Sequence, residues 1–298
     1  MSPYAAPSRL TQGEVEWRAG DGGRFTEPFF EETLARWRRA GGAAWTTPPS
    51  ALEADEADPA ALIFHVSRCG STLATRMLGA PAHHLAVSEA PVVDDILRRT
   101  PDAPETRKIA WLRGAMAAFA RSQTRPPERL FVKLDAWHLF ELPLLRRAFP
   151  AAPTLFIYRD PLEVLVSLSR MPSLMTVRDT VDPARLGLTE DERNRLSRDE
   201  LAAAVQGALY RTALDHREAL IGIGYPELVD ALPRLPALGL TPEERAVMRA
   251  AATADAKSPD QDFTPDTARK RAEAPTEVRE AAERWARVDY REWLRASA

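Results

Sequence analysis

Five short apolar runs punctuate the middle of the chain, at 61–66, 84–88, 130–134, 154–158 and 220–225. Their apolar residues stand at neighbouring positions rather than at every second one, the pattern of strands buried on both faces. Longer stretches follow them, with apolar residues returning every three to four positions, clearest over 163–171 and between Asp199 and Leu220. This alternation predicts an α/β fold, a parallel sheet flanked by helices on both faces.

Upstream, residues 27–41 place Phe29, Phe30, Leu34 and Trp37 on one helical face and predict a helix packed on the core. Residues 46–61 are rich in proline and acid and read as a connector to the first strand. Residues 171–200 are polar and punctuated by proline, too long for a plain connection; a loop of that length in a compact domain is functional or disordered. The C-terminal part predicts a loop and then a charged helix with Trp285, Val288 and Trp293 as its apolar face. The expected organisation is one domain over 1–298: a helical extension at 1–58, a nucleotide-binding core at 59–235, and a C-terminal loop and helix at 236–298.

Composition narrows the chemistry. A chain of 298 residues, 45% hydrophobic and 28% charged, can bury a full core. A net charge of −3 argues against a nucleic-acid partner. The single cysteine, Cys69, excludes an intrachain disulfide framework and a Cys-rich zinc site. No apolar run approaches the roughly 20 residues of a membrane span, and the N-terminal stretch has no signal-peptide core, so a cytoplasmic location is expected.

The first apolar run leads into Ser67-Arg68-Cys69-Gly70-Ser71-Thr72 and then a helical pattern. A strand, a glycine-bearing turn and a helix start aim several amide N–H groups at one spot, which is an anion site. Gly70 lets backbone approach closely, Ser71 and Thr72 can donate, and Arg68 adds a planar cation suited to oxyanions. The lysine of triphosphate-binding loops is missing, since Ser71 follows Gly70. A second strand end carries Arg159, then Asp160-Pro161 at a helix start, and Ser167 eight residues after the arginine.

Together these residues resemble those of the sulfotransferases that use 3′-phosphoadenosine 5′-phosphosulfate (PAPS), in particular the bacterial and tyrosylprotein branches. The resemblance spans about residues 60–235 and implies a P-loop-type, sulfotransferase-like fold. It implies that Arg68, Cys69, Gly70, Ser71 and Thr72 hold the 5′-phosphosulfate, that Arg159 and Ser167 hold the 3′-phosphate, and that Tyr225 lies near the adenine. It maps a catalytic lysine to Lys133 and a general base to Glu89, with His138 as the rival base. The family's late Arg-Lys-Gly motif has only Arg269-Lys270 to answer it, without the glycine; Lys257 is the other basic candidate there.

Transfer of a sulfuryl group needs positioning and charge stabilisation, which Arg68, Lys133 and the loop amides can supply without a metal. The function implied is sulfuryl transfer from PAPS, with 3′,5′-ADP as product, to a small-molecule, carbohydrate or peptide hydroxyl. The alternatives are a P-loop kinase of a small molecule or nucleoside, and a nonenzymatic nucleotide binder. His65 reads as a core residue of the first strand, Cys69 as loop packing, and Asp135 as a partner for Lys133 or His138.

Overall fold

Each of the five apolar runs forms a strand. The computed structural model describes residues 4–11, 13–252 and 267–297. Strands β1 (Ala5–Thr11), β2 (Glu14–Ala19) and β3 (Ala44–Thr47) make an antiparallel sheet in that order. Strands β4 (Ala61–His65), β5 (His84–Ser88), β6 (Arg129–Lys133), β7 (Thr154–Tyr158) and β8 (Ile221–Gly224) make a parallel sheet of order β5-β6-β4-β7-β8, flanked by helices. The expected fold class is the one the chain adopts. All five residues of β4 are buried, which is why its sequence shows no alternation.

By its contacts the chain divides into two compact units, Met1–Ile63 with Thr72–Pro153 and Val229–Phe263, and Phe64–Ser71 with Thr154–Leu228 and Thr264–Ala298. In the first, the antiparallel sheet is tied down by one carboxylate. Arg9 donates to Asp95 from Nε (2.7 Å) and from its terminal nitrogen (3.0 Å), and the Leu10 amide adds a third bond at 2.9 Å. Asp95 is fully buried on the helix Pro91–Arg98. A buried charge is tolerated because it is paired and hydrogen-bonded.

In the second unit, Trp293 of the C-terminal helix is 1% exposed and packs edge-on to Phe156 of β7, ring centroids 5.0 Å apart. Gly222 of β8 leaves room for it, since an added Cβ would lie 2.8 Å from the indole. Removing a side chain this buried costs about 3–5 kcal/mol.

Three sequence expectations change. The first 58 residues hold three strands besides the helix Phe30–Arg39, so they are not a purely helical extension. The long segment 171–200 is built of short helices, among them Pro183–Leu186 and Glu190–Arg195, the latter opened by a Thr189/Glu192 capping box. The C-terminal helix is two helices, Thr276–Trp285 and Arg287–Ser297, broken at Ala286; that break turns Val288 outward, 62% exposed. Among the described residues no helix is long and apolar enough to cross a membrane.

Candidate active site

Each strand of the parallel sheet ends at or next to a residue singled out above: Arg68 lies beyond β4, Glu89 follows β5, Lys133 closes β6, Arg159 follows β7 and Tyr225 follows β8. In open parallel sheets the carboxyl ends of the strands are where ligands bind.

The loop after β4 is held in an uncommon backbone shape. Ser67 (φ 64°), Arg68 (φ 49°) and Gly70 (φ 87°) all lie in the left-handed region. For the two residues with a side chain this costs on the order of 1–2 kcal/mol each, so neighbours must impose it. His65 Nδ1 accepts the Ser67 amide at 2.9 Å. The buried Gln206 amide donates to Val66 O at 3.2 Å, and the fully buried Cys69 thiol to Ile157 O at 3.2 Å. At Gly70 a Cβ would meet the Tyr225 ring at 2.8 Å, so any other residue there must displace that ring or the loop. Ser71 and Thr72 then open the helix Ser71–Leu78.

The strand end at Arg159 is fixed as closely. Asp160 caps the helix Pro161–Arg170 by accepting the Leu162 amide at 2.9 Å, and Pro161 presets the first turn. Arg159 is 4% exposed; its Nε donates to Glu163 Oε2 at 2.8 Å, and its guanidinium lies 3.8 Å from the centre of the Tyr225 ring. Two turns on, Ser167 Oγ accepts from Arg68 Nε at 2.9 Å. Arg68, Gly70, Arg159, Ser167 and Tyr225 therefore form one connected group, although they span more than 150 residues of chain.

Glu89 and Lys133 form a second group. Lys133 is 1% exposed, and its Nζ lies 2.8 Å from Glu89 Oε1 and 4.7 Å from the centre of the Phe29 ring. The contact with Glu89 is an ion pair by distance, and among the described residues Nζ meets no acceptor at a hydrogen-bonding angle. Glu89 has φ 50°, and its side chain is 22% exposed.

His138 is engaged by the fold. Its Nδ1 accepts the Asp135 amide at 3.2 Å, which leaves the hydrogen on Nε2, 2.9 Å from Asp94 Oδ1. Trp137 Nε1 donates to the same oxygen at 2.8 Å and Arg98 at 3.2 Å. Burial raises the Asp94 carboxyl, but these donors outweigh it and hold the group well below the usual carboxylate range. Asp135 sits beside His138 as expected, completing a capping box with it.

Sequence reasoning missed Glu163 and Gln206, both buried and polar inside helical patterns. The Arg159/Glu163 spacing of four was the signal for the first; a lone glutamine gives none. It also passed over Arg271, which reaches Glu163 at 2.8 Å. Lys257 and the Arg269 side chain lie outside the described residues, and Lys270 is buried.

No protein-family model and no curated protein matches the chain. Solved structures that it resembles include a sulfotransferase from Alicyclobacillus acidocaldarius, at 18% identity over 81% of this chain and 96% of that one, with a TM-score of 0.47. They also include the sulfotransferase domain from the curacin biosynthetic pathway (15%; 77% and 98%; TM-score 0.45). A third is a sulfotransferase from Mycobacterium avium (16%; 68% and 69%; TM-score 0.44). The likeness is one of backbone course at low identity.

Proposed function

We propose that this chain is a sulfotransferase that moves a sulfuryl group from PAPS to a hydroxyl acceptor. The observation that carries the reading is the 2.9 Å bond from Arg68 to Ser167. It joins the loop after β4 to the Arg159/Ser167 helix, the two elements that a nucleotide with both a 5′-phosphosulfate and a 3′-phosphate requires. A triphosphate needs instead a lysine in the loop, where Ser71 stands.

Arg68 and the amides of Gly70, Ser71 and Thr72 receive the 5′-phosphosulfate, Arg159 and Ser167 the 3′-phosphate, and Tyr225 the adenine. The buried Lys133 ammonium carries three hydrogens, of which the Glu89 oxygen at 2.8 Å takes at most one, and so fits a donor that brings an oxyanion to it. In the transfer the acceptor oxygen forms a bond to sulfur as the sulfur–oxygen bond to the 5′-phosphate breaks. Glu89 takes the acceptor's proton, and the electron pair leaves on the nucleotide as 3′,5′-ADP. Negative charge that builds on the bridging oxygen is met by Lys133 and Arg68, in the place that a metal holds in phosphoryl transfer. Glu89 is the better base than His138, whose Nδ1 lone pair is already used by the Asp135 amide. The acceptor is a small-molecule, carbohydrate or peptide hydroxyl.

The test is thermal unfolding with 3′,5′-ADP in the absence of magnesium, beside Mg-ATP. Ligand at about 100 times its dissociation constant should add about 2.7 kcal/mol of stability. A shift with Mg-ATP and none with 3′,5′-ADP would favour the kinase reading. Binding of 3′,5′-ADP without transfer to any hydroxyl in a broad screen with labelled PAPS would favour a nonenzymatic binder.

A further inference from the structure

His83, His84 and Glu244 converge where β5 begins. His83 Nε2 is 2.7 Å and His84 Nε2 2.9 Å from one and the same oxygen, Glu244 Oε1. The three ligand atoms lie within 4.8 Å of one another. The His84 and Glu244 side chains are buried, 0% and 5% exposed, while His83 is 39% exposed.

The surroundings fix how each group is presented. His84 Nδ1 lies 2.8 Å from the Leu78 carbonyl, which can only accept, so Nδ1 carries the hydrogen. With Nδ1 so engaged, Nε2 meets the Glu244 carboxylate oxygen at 2.9 Å either through a second ring hydrogen, as imidazolium, or lone pair to lone pair, as a neutral ring. In the neutral ring a cation between them converts that opposition into two bonds. Glu244 Oε2 is occupied by the Thr241 amide at 2.6 Å, in the capping box that opens the helix Pro242–Ala251, so Oε1 alone is turned to the histidines. Arg129 is the nearby cation, but its Nε stays 3.8 Å from Oε1, outside hydrogen-bond distance. Arg24 spends its terminal nitrogen on the carbonyls of Gly79, Pro81 and His84.

Two imidazoles and one carboxylate are a borderline-soft donor set. A carbonyl that holds the far nitrogen of a ligating histidine is the usual outer partner of such a site. Ligand distances of roughly 2.0–2.1 Å in a tetrahedral centre put ligand atoms about 3.3 Å apart, which these side chains reach by separating about half an ångström. A cavity of about 240 Å³ lies beside the two histidines, lined also by Glu128 and by Arg24 and Arg125.

We propose that His83, His84 and Glu244 bind one divalent transition metal ion of the zinc type, with a non-protein ligand in its fourth position. His84 begins β5 and Glu89 follows its other end, so at about 3.3 Å per residue roughly 17 Å of strand separates the metal from the proposed base. The ion is therefore a staple between the start of β5 and the helix Pro242–Ala251, and takes no part in the transfer.

The experiment uses the full chain, tag removed and stripped with EDTA, titrated with Zn²⁺ by calorimetry and with Co²⁺ by visible spectroscopy. One ion per chain, the strong visible bands of tetrahedral Co²⁺ and a Zn²⁺-dependent rise in Tm are expected. His83→Ala, at a part-exposed position, should weaken Zn²⁺ binding on the order of a hundredfold or more, since even outer partners of ligands cost 10- to 100-fold. Glu244→Gln retains the capping interaction at Thr241, because glutamine serves in that box as well; it should fold and lose the tetrahedral spectrum. Absence of stoichiometric Zn²⁺ binding in the parent chain overturns the proposal, as does stoichiometric binding that both variants retain unchanged.

Discussion

Glu89 and Lys133 are bound to each other through backbone and side chain alike. Ser88 pairs with Lys133 across β5 and β6, the Glu89 amide donates to the Lys133 carbonyl at 2.7 Å, and the side chains meet at 2.8 Å. The left-handed turn at Glu89 is what returns its carboxylate to the lysine just as the sheet pairing stops. An acid and a cation positioned this rigidly can divide two tasks, one on the acceptor's proton and the other on the leaving oxygen.

Glu89→Gln keeps the shape and removes the proton acceptor. Turnover with labelled PAPS and any accepted hydroxyl should fall on the order of a hundredfold or more, while 3′,5′-ADP binding by calorimetry is unchanged. Joint loss of both would show that Glu89 is a structural residue of the strand end.

Arg68→Ala removes a charge-assisted contact of about 1.5–3 kcal/mol. The dissociation constant for 3′,5′-ADP should rise roughly ten- to a hundredfold, with little change in the urea midpoint. Arg159→Ala should differ by lowering affinity and stability together, because Arg159 is buried against Glu163 and Tyr225. Arg271 remains on Glu163, so the stability loss should stay below the 3–5 kcal/mol of a buried charge left alone.

Gly70→Ala places a Cβ in the Tyr225 ring at a φ of 87°. Strain on the order of 1–2 kcal/mol is expected, and 3′,5′-ADP binding should weaken more than in Ser167→Ala, since the whole loop must shift. An affinity in Gly70→Ala equal to that of the parent chain would show that the loop does not carry the 5′-phosphate.

Asp94 makes stability pH-dependent on the acid side. Its folded pKa is lowered from 3.8, because bonds from His138 and Trp137 and the charge of Arg98 outweigh burial. A depressed carboxyl contributes stability in full above the unfolded value and loses it as pH falls through the folded one. Urea midpoints measured from pH 6 down should therefore fall below about pH 4, and Asp94→Asn should flatten that limb. An unchanged limb would place the acid sensitivity in other carboxylates.

The five parallel strands were legible because burial on both faces leaves unbroken apolar runs, as in β4 and β7. Strands β1 to β3 were not. β1 carries Pro7 and an irregular register between Pro7 and Arg9, and β3 is half exposed, so neither shows a clean period. The loop, Arg159 and Ser167 could be found by spacing, whereas what fixes them could not: Gln206 stands some 140 residues beyond Val66, and no local pattern announces that contact. Phe29 reads as helix face in the sequence, yet it precedes the helix and lays its ring beside Lys133. Val288 was misplaced because one period was carried through a break at Ala286.

Cys69 is the chain's one thiol, and it is sealed at the centre of the loop against the Ile157 carbonyl. A thiol reagent can therefore reach it only in the moments when the loop lifts off β7, and every modified molecule records one such opening. The protein thus carries its own gauge of that motion: where reclosing outpaces labelling, the labelling rate divided by that of a free thiol gives the opening equilibrium, and its slowing by a bound anion measures how far the ligand holds the loop shut.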